Sequence, residues 1–115
     1  MGQDLAAIRH QLLSLIKHKS KRKTEFKVER PIDWRPTEVI DPRSGSPFTP
    51  SGAWDFIEEK LRENHAIEEV ELEKPPGRKA YVLLVPTQGK EIYIKVQLGS
   101  GVIWGRSFHY SKVSR

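Results

Sequence analysis

The sequence predicts an α+β domain: an N-terminal helix and a second helix packed on one face of a four-stranded antiparallel meander sheet. Three observations predict it. Apolar residues recur at helical spacing near the N-terminus and again after Pro50; strand-like segments separated by turn residues run from residue 66 to 110; and 115 residues at 37% hydrophobic suit one core and not two. Residues 1–115 therefore read as a single domain. It comprises an amphipathic helix with a basic arm (1–23), a Pro-rich extended segment (24–50), and a helix followed by the sheet (50–115).

The first helix rests on Leu5, Ile8, Leu12, Leu15 and Ile16, with Asp4 as its N-cap. It runs into KHKSKRK (17–23), whose like charges repel and bury nothing, so this stretch reads as a frayed helix end or a mobile arm. Lys21, Arg22 and Lys23 in that arm suit phosphate contacts without sequence preference. Five prolines between Thr24 and Pro50 exclude a long helix there and favour extended segments and turns. TEFKVE (24–29) suits an edge strand, and Trp34, Val39, Ile40 and Phe48 are apolar anchors that hold the segment along the domain.

Thr49 and Pro50 start the second helix, because the hydroxyl caps free amides and proline at the first helical position loses no hydrogen bond. The helix runs to about residue 64, with Ala53, Trp54, Ile57 and Leu61 inward, Asp55, Glu58, Glu59 and Glu63 mostly outward, and Asn64 at its end. AIEEVELE (66–73) alternates around Val70 and Leu72 and ends in the turn KPPGRK (74–79). YVLLV (81–85), EIYIKVQL (91–98) and VIWGRSFHY (102–110) follow, joined by PTQGK and GSG, which completes the meander. Gly99 and Gly101 are read as hairpin residues, since LGSGV is too short to cradle a phosphate.

Charge is segregated along the chain. Residues 1–30 carry +5, 31–54 carry −1, 55–73 carry −6 and 74–115 carry +7, for a net +5 and a pI near 9.6. Grouped bases favour a polyanionic partner, with the acidic block facing elsewhere; two solvated charged faces are the plainer alternative. With no cysteine and four histidines lacking ligand spacing, no metal and no cofactor are expected. No run of about 18 apolar residues and no secretory signal is present, so a soluble cytoplasmic protein without membrane contact is expected.

In the strand at 91–98 the period of two puts Ile92, Ile94, Val96 and Leu98 on one face, and Glu91, Tyr93, Lys95 and Gln97 on the other. In a regular last strand Trp104, Arg106, Phe108 and Tyr110 oppose Ile103, Gly105, Ser107 and His109. The hairpin register decides which set joins Lys95. A three-residue loop brings Ser107 and His109 beside Lys95 and Tyr93, a two-residue loop brings Trp104 and Arg106, and a bulge near Gly105 brings members of both. RNA cleavage without metal needs a base for the 2′-hydroxyl, cations for the charge on phosphorus, and an acid for the leaving oxygen. His109, Arg106 with Lys95, and Tyr93 or Tyr110 suit these roles, and exposed aromatic rings stack on unpaired bases.

IYIKVQL with VIWGRSFHYS resembles the closing strands of the MqsR branch of the RelE superfamily of mRNA-cleaving toxins. The Arg, His, Tyr order in GRSFHY is similar to the end of YoeB-type toxins. The resemblance covers about the last 50 residues. It implies a bacterial endoribonuclease toxin of microbial-RNase-like fold, held inactive by an antitoxin protein. It also implies His109 and Tyr110 as the catalytic pair and Arg106 as phosphate ligand, with Lys95 and Tyr93 supporting RNA binding; Gln97 and Trp104 extend that surface.

Three functions follow as expectations. The first is a metal-independent endoribonuclease acting on single-stranded or ribosome-bound mRNA. The second is a non-catalytic nucleic-acid-binding module using the basic arm, the cationic sheet and stacking by Tyr93 or Trp104. The third is a protein-interaction domain whose acidic surface at 55–73 takes a basic partner.

Overall fold

The Asp4 carboxylate accepts the Ala6 amide at 3.0 Å and so satisfies one of the donors that a helix start leaves open. In the computed structural model, which describes residues 4–73 and 76–111, α1 (Leu5–Ile16) follows this cap and buries Ile8, Leu12 and Ile16. The basic stretch after it is folded: Lys19–Lys21 form a 3-10 turn and Arg22–Lys23 a short strand, β1. A second two-residue strand, β2, is Asp33–Trp34.

α2 (Pro50–Arg62) starts where the sequence places it, with the Thr49 hydroxyl accepting the Gly52 amide at 2.8 Å and Pro50 in the first turn. It buries Ala53, Trp54, Phe56, Ile57 and Leu61. Its last carbonyls are closed from α1, where Arg9 donates to the Leu61 carbonyl at 3.0 Å and to that of His65. Asn64 then takes the left-handed conformation, φ 62°, that ends the helix.

The remaining strands are β3 (Glu68–Glu71), β4 (Lys79–Pro86), β5 (Glu91–Gly99) and β6 (Val102–Tyr110). The sheet has six strands in the order β1-β6-β5-β4-β3, with β2 also paired to β6. The contacts β3/β4, β4/β5 and β5/β6 are antiparallel, whereas β1 and β2 run parallel to β6. The expected four-stranded antiparallel sheet is thus the greater part of a larger mixed one. The expected strand at 24–29 is absent. Lys27 and Arg30 instead exchange backbone hydrogen bonds across a tight turn, with Phe26 and Val28 61% and 77% exposed, and the chain pairs with β6 just before and just after this turn. Of the KPPGRK turn, Lys74 and Pro75 lie outside the described residues, as do Lys112 and Arg115 of the basic C-terminal segment.

Both helices pack on one face of the sheet. Leu12, Ile16, Phe56 and Ile57 meet Leu83, Ile92, Ile94, Val96, Ile103 and Phe108 in one continuous cluster. Burial of each such side chain contributes about 1.5–3 kcal/mol. Trp34 joins this core from β2, with ring centroids 5.0 Å from Trp54 and 5.5 Å from Phe108. The close approach requires Gly105 opposite it, since a Cβ there would lie 2.6 Å from the Trp34 ring. Among the described residues no helix is long and apolar enough to cross a membrane.

Candidate functional site

The helix-free face of the sheet owes its character to one irregularity. The loop between β5 and β6 has two residues, Ser100 and Gly101, both with positive φ (55° and 72°), as a type I′ turn demands. Gly99 therefore pairs with Val102, Leu98 with Ile103 and Gln97 with Trp104. The register then shifts: Val96 faces Gly105 while Lys95 faces Ser107. Arg106 is the extra residue of a β-bulge. Its effect is to put Arg106 and Ser107, neighbours in sequence, on the same side. Trp104, Arg106, Ser107 and His109 all join Tyr93, Lys95 and Gln97 away from the helices, so the bulged branch of the register fork is the one adopted.

All of these side chains except Trp104 and Gln97 line a groove of about 700 Å³. Tyr93 and Lys95 come from β5, and Arg106, Ser107 and His109 from β6. Pro31, Ile32 and Asp33 form one wall, and the end of β3 with Leu72 and Glu73 forms the other. The groove is of mixed charge, with Lys95 and Arg106 on its floor and Asp33, Glu71 and Glu73 along its walls. Arg106 is only 4% exposed, and its Nη1 donates to the Gln97 side-chain oxygen at 2.8 Å. Burial, then the charge of Arg30, pulls its pKa below the ordinary arginine value. Burial, then Arg106, likewise lowers the pKa of Lys95, while Glu73 and Asp33 oppose the shift. Among the described residues Lys95 has no carboxylate within ion-pair distance.

His109 sits at one end of the groove, its ring stacked on Tyr93 at 5.3 Å between centroids and 14° between planes. Nδ1 lies 2.7 Å from the Tyr110 carbonyl, which can only accept, so Nδ1 carries a hydrogen. Nε2 faces Asp33 Oδ2 at 3.4 Å, and Asp33 Oδ1 accepts from Arg35 Nε. Protonated, His109 donates from both nitrogens. The phenol of Tyr93 is pushed up by burial, then by the charge of Glu68, and so holds its proton.

The other sequence candidates fall in different places. Tyr110 follows His109 but points to the opposite side of the strand, where its hydroxyl accepts the Ile40 amide at 3.0 Å and its ring packs against the core. The alternation of a strand separates neighbours in this way, so the pair expected to act together is split. Arg22 is not a free phosphate ligand, because its guanidinium bonds the Ile16 carbonyl at 2.8 Å and pairs with Asp55 at 3.1 Å and Glu58 at 3.4 Å. Lys21 and Lys23 remain exposed. Gln97 is buried and orients Arg106. Trp104 is covered by Arg30, whose guanidinium lies 3.8 Å above its ring. The acidic block is partly consumed within the fold, since Asp55, Glu58 and Glu59 pair with Arg22, Arg43 and Arg62.

Two residues escaped the sequence reading: Asp33, which lines the groove, and Arg30, which lies over Trp104 on the same face. Both lie in the Pro-rich segment, and their only signal was polarity beside Trp34 and Pro31. The chain matches no protein-family model, no curated protein and no solved structure. The architecture and this groove define a class, a mixed α+β sheet with helices on one face and a groove of mixed charge on the other.

Proposed function

We propose that the protein is a metal-independent endoribonuclease of the toxin type, acting on single-stranded or ribosome-bound RNA along the helix-free face. The observation that carries this reading is the bulge at Arg106, which sets two cations beside a carboxylate–imidazole pair in one groove. A regular strand would set either Arg106 or the imidazole beside Lys95. Two like charges on neighbouring strands, Arg106 buried and Lys95 half-buried, favour a phosphate between them.

In the reaction, the Asp33 carboxylate takes the proton of the ribose 2′-hydroxyl and the 2′-oxygen bonds to phosphorus. The bond from phosphorus to the 5′-oxygen breaks, and Nε2 of the imidazolium gives its proton to that oxygen. The products are a 2′,3′-cyclic phosphate and a free 5′-hydroxyl. Lys95 and Arg106 hold the charge that builds on the non-bridging oxygens. Asp33 thus replaces the tyrosines as the second proton-transfer group, and Tyr93 holds the imidazole plane. An antitoxin partner belongs to this reading and would act by covering the groove.

The test is incubation of wild type, His109→Ala and Asp33→Asn with a long single-stranded RNA in EDTA, and separately with translating ribosomes. Fragments ending in cyclic phosphate from wild type, lost in both variants, are expected. Intact RNA in both settings with salt-sensitive binding would overturn cleavage and leave the nucleic-acid-binding module, which the Arg30–Trp104 stack also suits.

A further inference from the structure

His109 and Asp33 border two cavities, not one. Beyond the main groove they line a second cleft of about 170 Å³ together with Arg35, Glu38, Val39 and Tyr110. That volume equals about five or six waters of bulk liquid, more than a hydration site needs. Its walls are of mixed character. Val39 is buried and gives an apolar side, and the Tyr110 ring gives a flat one, with the Lys90 ammonium 4.5 Å from its centroid. Because the Tyr110 hydroxyl already accepts from the Ile40 amide, its own hydrogen is left to donate. Glu38 offers carboxylate acceptors and Arg35 a guanidinium, both well exposed and 3.9 Å apart as a loose ion pair.

Apolar and flat walls edged by donors and acceptors suit a nucleobase better than an ion or a lipid chain. The position matters as much as the lining. An acid that protonates a leaving oxygen must stand where the two products part, and the imidazole stands where the two cavities meet.

We infer that this second cleft receives the nucleoside on the leaving side of the scissile phosphate, with Glu38 accepting from the base edge and the Tyr110 ring supporting its plane. The inference rests on the cleavage reading. It returns Tyr110 to the site, as a binding surface in place of a proton donor. The main groove then holds the nucleotide that supplies the 2′-hydroxyl and whatever precedes it, so the substrate is a strand crossing the Asp33–His109 boundary.

A pair of substrates tests it: a diribonucleotide, and a ribonucleoside 3′-methyl phosphate whose leaving group is methanol and carries no base. In Glu38→Ala the ratio of kcat/KM for the diribonucleotide to that for the methyl ester is expected to fall about tenfold, mostly through KM. Tyr110→Leu is expected to lower the same ratio. Equal loss on both substrates, or no loss on either, would overturn the subsite while leaving the cleavage reading intact. If wild type cleaves neither, the cleavage reading is decided by the test on translating ribosomes, and the cleft by binding of the 2′-deoxy dinucleotide. Equal affinity in wild type and Glu38→Ala then overturns it, and weaker binding in the variant supports it.

Discussion

Deleting Arg106 from the middle of β6 is expected to leave the sheet folded. Removing one residue from an interior strand ordinarily inverts the face of everything beyond it, exchanging Phe108 for His109 in the core. Losing a buried phenylalanine alone costs about 3–5 kcal/mol. Here the bulge already contains the extra residue: Gly105 faces Val96 and Ser107 faces Lys95, which are adjacent on β5. Without Arg106 the ladder becomes regular, with Gly105 inward, Ser107 outward and Phe108 inward. Gln97 loses the partner at 2.8 Å, at a cost of about 1–3 kcal/mol for a buried amide left unsatisfied. Against this, a cation that burial and Arg30 both disfavour is removed. The net change is on the order of 1 kcal/mol, a shift of about 4–8 °C in Tm. Thermal unfolding by circular dichroism measures it, with deletion of Lys95 from unbulged β5 as the destructive control. A deletion variant of Arg106 that is insoluble, or that loses more than about 3 kcal/mol, would refute the bulge argument. The folded variant should also bind RNA markedly more weakly in a salt titration.

Two further outcomes follow from the charges. Lys95→Met is expected to raise stability at neutral pH by on the order of 1 kcal/mol while weakening RNA binding. Because folding lowers the Lys95 pKa below 10.5, wild-type stability should rise as pH climbs from the folded value toward the unfolded one, and urea midpoints of the variant should lack that rise. On the acid side, Arg43 holds the Asp41 carboxyl below 3.8 through hydrogen bonds, chiefly from its side chain at 2.8 and 3.0 Å. That stability is present above the unfolded value and is lost as pH falls through the folded one. Asp41→Asn should therefore cost about 1 kcal/mol at pH 7 and flatten the acid limb of the unfolding curve.

The helices were legible because their ends carry local chemistry. Asp4, Thr49 with Pro50, and Asn64 each act within a turn of where they stand. The three long strands were legible from alternation in β5 and β6, from the apolar run of β4, and from the turn residues between them. β1 and β2 were not, since two residues have no period and each pairs with a strand more than 70 positions away. TEFKVE alternates as a strand should, yet its apolar residues face solvent, and pattern alone does not say which alternating segment finds a neighbour. The bulge left a faint trace, two polar residues together in Arg106 and Ser107 between inward-facing Gly105 and Phe108. Asp33 left less, because its importance comes from meeting His109 across the fold.

The place of β6 within the sheet also sets an order of events during synthesis. It is the last strand described, yet it lies between β5 on one side and β1 and β2 on the other, with α1 against it. A nascent chain that has emerged only to residue 100 possesses Lys95 and Tyr93 but neither Arg106 nor His109, and Asp33 and Trp34 have no strand to join. Helices can form early from local contacts, whereas closure of the groove waits for pairings of long sequence separation, which are slow. On the proposed cleavage reading, the growing polypeptide is therefore harmless to the message it is read from until β6 joins the sheet.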